Sequence, residues 1–135
     1  MAMADGKDLL AGVEPVLRVP ARPADINAGG DIFGGWIMSQ VDIAGSIPAV
    51  ALAQGRVVTV AVQRLVFLKP VKVGDLVSLY ARVAGVGRTS IQVAVEVYVH
   101  RSLAPPEFIH VCEAELTYVA IDEHGKPRPV PAATQ

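Results

Sequence analysis

At 135 residues the chain has the length of one compact domain and is too short for two independent ones, and such a chain buries roughly two-thirds of the surface it exposes when unfolded. Hydrophobic residues make up 52% of it and aromatics only 5%, so the core must be Val, Ala, Leu and Ile; disorder is excluded, and the β-branched excess points toward sheet. The 12 basic residues against 13 acidic ones leave a net charge of -1, with no basic field for a nucleic-acid backbone, while the single Cys112 permits neither an internal disulfide nor a thiolate metal site.

The starting segment MAMADGKDLLAG lacks the basic flank and long apolar run of a secretory signal, which leads us to expect a cytoplasmic protein. Residues 1–135 are expected to form one domain, with flexible ends at 1–12 and 132–135. A short strand is expected from Pro15 to Val19, followed by PARPADINAGGD, whose turn formers predict a surface loop. From Phe33 to Ala53 the apolar positions Phe33, Ile37, Val41, Ala44, Ile47 and Ala51 recur at intervals of three and four, the stripe of a helix. Pro48 removes the amide that would bond to Ala44 and should bend that helix. Although this is the most apolar stretch of the chain, Gln40, Asp42 and Pro48 argue against a membrane span.

After Gly55 the period changes to two. Val58, Val60 and Val62 alternate with Thr59, Ala61 and Gln63, predicting a strand to Leu68. Further strands are predicted at Leu76 to Ala84, Thr89 to His100 and Phe108 to Ile121, separated by KPVKVGD, GVGR and SLAPPE. Hairpin-short connections make antiparallel neighbours, and the apolar face of such a sheet must be covered by the only long helix available. The expected fold class is therefore α+β, a five-stranded antiparallel sheet wrapped around one central helix. Small residues on that helix, Gly34, Gly35, Ala44, Gly45, Ser46 and Ala49, allow close approach by strands or a second helix, and the sheet edges call for a homo-oligomer.

The densest chemical signal is NAGGDIFGGWIMSQVDIAG, Asn27 to Gly45. Gly34 and Gly35 in the first helical turn present open backbone amides at the positive end of the helix dipole, an arrangement that suits an oxyanion; the same glycines also suit tight helix packing. Asp31 reads most simply as an N-cap. Asp42 lies mid-helix without a Lys or Arg at Met38, Ser39, Gly45 or Ser46, so it is either solvent-facing or a desolvated carboxylate with a raised pKa, as a general base needs. Asp31 and Asp42 would be separated by roughly 16 Å along one helix and cannot serve one carbonyl within one chain. Two copies with antiparallel helices could instead combine Asp42 of one with Asn27, Gly34 and Gly35 of the other.

His100, His110 and His124 show no metal-ligand spacing and read as packing or surface residues, and Cys112 alternates within an apolar strand as a core residue. The turn GVGRTS places Arg88 beside Thr89 and Ser90, which suits a phosphate or an ordinary solvated hairpin tip.

Taken together, PADINAGGDIFGGWIMSQVDIAG, GRVVTVAVQRLVFLKPVKVGDLVSLYARV, GRTSIQVAVEVYV and YVAIDEHGKPRPVP closely resemble the YciA-type acyl-CoA thioesterases, over Leu17 to Pro131. The resemblance implies the hot-dog fold, dimers assembled into hexamers, and hydrolysis of acyl-CoA to a carboxylic acid and free CoA without a metal or redox cofactor. It implies that Asp42 is the catalytic carboxylate, activating water or attacking directly to give a mixed anhydride, and that Asn27 is its polar partner from the neighbouring subunit. Gly35 and Gly34 would donate to the thioester oxygen, and Arg88, Thr89 and Ser90 would meet the CoA phosphates. The family loop usually has Asn where this chain has Gly29. A non-catalytic acyl-CoA sensor is the alternative of a different class, against which intact Asn27 and Asp42 count; a hot-dog dehydratase would need a histidine on or before the helix, and none precedes His100.

Overall fold

The computed structural model describes residues 12–102 and 104–132, so the flexible ends expected at 1–12 and 132–135 lie outside it apart from Gly12 and Ala132. In chain order the elements are β1 (Leu17–Pro20), a 3-10 turn (Pro23–Asp25), α1 (Gly34–Ala53), β2 (Val57–Phe67), β3 (Leu76–Val86), β4 (Ser90–Arg101) and β5 (Glu107–Ala120). They form one sheet in the order β1-β3-β4-β5-β2, with every pairing antiparallel. The predicted α+β architecture is what is observed. Consecutive β3, β4 and β5 make a meander, whereas the chain leaves β2 on one edge and crosses over before β3 begins.

Two periodicities meet in the core. The helix buries Ile37, Val41, Ala44, Gly45, Ala49 and Ala53, a stripe at 3.6-residue spacing. The alternate residues Val77 and Leu79 of β3, Ile91, Val93, Val95, Val97 and Val99 of β4, and Ala114, Leu116 and Tyr118 of β5 are buried in the same cluster. Each fully buried Val, Leu or Ile contributes about 1.5–3 kcal/mol, and the many β-branched residues are held on a pleated surface that suits their stiff side chains.

Pro48 sits inside a helix that continues to Ala53, and Gln54 ends it in the left-handed region with φ 55°. Two residues before the proline, Ser46 Oγ donates to the carbonyl of Ile43 at 2.6 Å. By length and composition alone this helix is long and apolar enough to cross a membrane; in the fold its buried stripe lies on the sheet.

The valine row of β2 is not part of that core. Val58, Val60 and Val62 are 41%, 54% and 45% exposed, while the intervening Thr59 turns toward α1. Ile43, Ile47 and Val50 on α1 are exposed as well, so the β2 edge and the neighbouring helix surface leave apolar side chains uncovered in one chain.

At the opposite edge a buried ion pair fastens three segments. Asp75, 1% exposed, accepts from Arg101 Nε and Nη2 at 2.8 Å each and from the Lys72 amide at 2.8 Å, while its backbone carbonyl accepts from the Ala21 amide at 2.9 Å. Removing the cation would strand a desolvated carboxylate. Arg101→Ala is expected to lower stability by about 3 kcal/mol in urea denaturation, whereas Arg22→Ala, which breaks the exposed Arg22–Asp25 pair, should change it by less than about 1 kcal/mol.

Candidate active site

The loop before α1 is built around Asn27. Its Oδ1 accepts from the amides of Gly29 at 2.9 Å and Asp31 at 3.1 Å, and its own amide donates to the Asp31 carbonyl at 2.7 Å. These bonds fix the Asn27 oxygen inward, and its Nδ2 donates to no acceptor among the described residues. Gly29 has no left-handed φ, and a Cβ there would meet Asn27 Oδ1 at an ordinary 3.4 Å, so the family's asparagine fits the same loop.

Asp31 does not cap the helix, which corrects the sequence expectation. The N-cap is Phe33, without a side-chain cap bond, and Asp31 instead pairs with the Lys72 ammonium. Tertiary backbone bonds explain the change: the Ile32 amide donates to Val71 at 2.9 Å and the Phe33 amide to Asp25 at 2.8 Å, which draws Asp31 outward. The Phe33 carbonyl accepts from Trp36 and Ile37, so within the described residues the Gly34 and Gly35 amides remain free. Gly35 is exposed, and a Cβ added there would meet nothing within 4 Å.

Asp42 stands two turns further along α1, half-buried. Its Oδ1 accepts from Thr59 Oγ1 at 2.7 Å and from the Tyr118 hydroxyl at 3.0 Å; that hydroxyl also lies 2.8 Å from the Asp42 carbonyl. Thr59 and Tyr118 are direct partners across the β2–β5 ladder, which aims both hydroxyls at one carboxylate oxygen. Among the described residues no Lys, Arg or His pairs with Asp42, and its Oδ2 accepts no bond. Burial and the Asp42 charge hold the Tyr118 phenol above its ordinary pKa, so it stays a hydrogen-bond donor.

Gly45 makes this contact possible. A Cβ there would come within 2.5 Å of the Tyr118 hydroxyl and 3.2 Å of its ring. The hairpin at Arg88, Thr89 and Ser90 reaches the same end of the sheet: Ser90 pairs with Val119 and Ile91 with Tyr118, while the Ala120 amide donates to Thr89 O at 2.9 Å. Arg88 is exposed and forms no ion pair among the described residues. One chain thus gathers Asp42 with Thr59 and Tyr118 and leaves Asn27, Gly34 and Gly35 at the helix start, Gly35 being roughly 10 Å away along the axis.

Thr59 and Tyr118 were not identified from the sequence; the only trace was a hydroxyl in each of two apolar strands, and cross-strand register brings them together. Register also assembles Glu96, His110 and Glu113, whose ligand-type atoms lie within 4.8 Å of one another away from the helix. Glu113 pairs with Arg64 at 2.5 Å, Glu96 Oε1 lies 2.7 Å from His110 Nε2, and the His110 ring stacks on Tyr98 at 4.5 Å. Cys112 is fully buried and its thiol is pushed up to about 11, chiefly by burial, as a core residue rather than a nucleophile.

Gly45→Ala is expected to destabilise by about 1–3 kcal/mol in thermal unfolding, because the clash outweighs the helix preference of about 1 kcal/mol for Ala over Gly. Adding Tyr118→Phe removes the atom at 2.5 Å and should recover part of that loss.

Residues 29–102 match the model of the thioesterase superfamily. The acyl-CoA thioester hydrolase YciA of Salmonella typhimurium is 53% identical over 120 residues, 87% of this chain and 90% of that protein. A hexameric hotdog fold thioesterase of Campylobacter jejuni superimposes with a TM-score of 0.84 at 45% identity, covering 87% of this chain and 90% of that one. An acyl-CoA hydrolase of Staphylococcus aureus, solved with butyryl coenzyme A, coenzyme A and coenzyme A disulfide, gives 0.78 at 32% identity over 86% of this chain and 70% of that one. With an antiparallel sheet closed over one helix and an identity of this extent, the chain belongs to the thioesterase superfamily and, within it, to the YciA acyl-CoA thioester hydrolases.

Proposed function

We propose that the protein hydrolyses acyl-CoA to a carboxylic acid and free CoA, with Asp42 as general base. The observation that carries this reading is the asymmetry of the carboxylate: Oδ1 is held by two hydroxyls, while Oδ2 is unpaired and available to a water molecule. Among the described residues no neighbouring cation competes for it. Oδ2 accepts a proton as the water oxygen bonds to the thioester carbon; the carbonyl becomes an oxyanion that takes bonds from the Gly35 amide, with Gly34 beside it. Collapse of that intermediate breaks the C–S bond, and the proton held by Asp42 passes to the departing CoA sulfur.

Asp42 and the glycine amides are too far apart in one helix to act on one carbonyl, so the working site takes Asp42 from one copy and Asn27, Gly34 and Gly35 from a second. The uncovered Ile43, Ile47, Val50, Val58, Val60 and Val62 support a homodimer through this face. The Campylobacter jejuni neighbour is hexameric, and we assign this chain a hexamer built from such homodimers. Asn27 Nδ2, left free by the loop, donates to the water or the thioester. Exposed Arg88, in one turn with Thr89 and Ser90, meets the CoA phosphates, a charge-assisted contact. Buried, unpaired Cys112 suits a reducing, cytoplasmic setting.

Asp42→Asn should retain acyl-CoA binding and lose at least about 100-fold in kcat, measured by free-thiol release. Mixing Asn27→Ala with Asp42→Asn subunits should restore one complete site per mixed dimer; exchange confirmed by mass without recovered activity would reject the shared site. Arg88→Ala should raise KM for an acyl-CoA while leaving KM for the corresponding acyl-pantetheine unchanged; equal effects on both would remove Arg88 from phosphate binding.

A further inference from the structure

Phe67 is the last residue of β2 and is 48% exposed, in a chain with three phenylalanines. Its ring is aimed at the helix start: a Cβ built on Gly34 would lie 3.1 Å from Phe67 Cζ, 3.5 Å from Cε2 and 3.7 Å from Cε1. The distal edge of an exposed aromatic ring is therefore seated against one of the two glycines whose amides are free. Gly35 has no such neighbour.

The same ring walls a groove of about 390 Å³ that begins at Gly34 and is lined on its apolar sides by Ile37, Leu68, Pro70 and Val71. Its polar side chains are Asn27, Asp31 and Lys69, and Lys69 forms no ion pair among the described residues. Asn27 Oδ1 is held by its own loop and Asp31 by Lys72. A thioester whose oxygen rests on the Gly34 and Gly35 amides must send one substituent along this groove. The pantetheine arm carries two amides, and burying them against apolar walls without partners would cost free energy; an acyl chain carries no such penalty.

We infer that this groove receives the acyl chain and that Phe67 is a specificity-determining residue, limiting the bulk accepted on the carbons next to the thioester carbonyl. The inference rests on the hydrolase reading above. Because the ring touches Gly34, it acts beside the carbonyl and not at the far end of the chain. It excludes branching near the reaction centre, and it separates substrates through the ratio of their kcat/KM values.

The test compares butyryl-CoA with isobutyryl-CoA, hydrolysed by wild type, Phe67→Ala and Phe67→Trp, with free thiol as readout. In Phe67→Ala the isobutyryl-to-butyryl ratio of kcat/KM should rise about tenfold, the scale on which a hydrophobic pocket senses one methyl group, and in Phe67→Trp it should fall. Each ratio is taken within one preparation, so a change in the fraction of folded enzyme cancels. An unchanged ratio in both variants, with wild type active, overturns the acyl-wall inference and leaves the hydrolase reading standing. No thiol release by wild type from any acyl-CoA of a graded series overturns both.

Discussion

The structure turns on how closely α1 can lie against β5. At Gly45 the helix presents bare backbone, and into that gap Tyr118 brings a hydroxyl to within 2.8 Å of the Asp42 carbonyl and 3.0 Å of its carboxylate. A side chain at this point would hold the helix away from the sheet. The buried stripe from Ile37 to Ala53 would then fit the sheet less closely, and the reach of Thr59 to Asp42 would lengthen. Core packing and the placement of one carboxylate are thus a single geometric requirement.

Local structure gives way to tertiary contact where the site needs it. The first turn of α1 has two open amides and an N-cap without a side-chain bond, an arrangement that costs helix stability. The cost is offset by neighbouring backbone: Ile32 and Phe33 are bonded to Val71 and Asp25, and Val71 belongs to the loop that Asp75 and Arg101 anchor. Rigidity supplied from outside the helix lets its end remain unsatisfied and available to a ligand.

What was legible in the sequence follows from the range over which each interaction acts. The helix repeats its burial every 3.6 residues and β4 largely every two, and Asp42 stood out because no helical neighbour could neutralise it. Gly45 was recognisable as a small residue permitting close approach, although not as the seat of Tyr118. Thr59 and Tyr118 were invisible because they meet only through the register of β2 with β5, and that ladder contains two irregularities that no periodicity encodes. Asp31 followed the local capping rule in the sequence and departs from it in the structure, where Lys72 and the backbone of Asp25 and Val71 outweigh a single cap. The cluster of Glu96, His110 and Glu113 lies across β4 and β5, where spacing along one strand carries no information.

The two edges of the sheet are unlike. β1 has four residues and ends in Pro20, which has no amide to offer a further strand, whereas β2 runs for 11 residues beside an apolar surface. Lateral growth is therefore open on one side and blunted on the other. A contact of β2 with the β2 of a second copy would be self-complementary and would consume the exposed edge of both partners. The unequal strand lengths thus bias association toward a closed, two-fold pair and away from an endless ribbon.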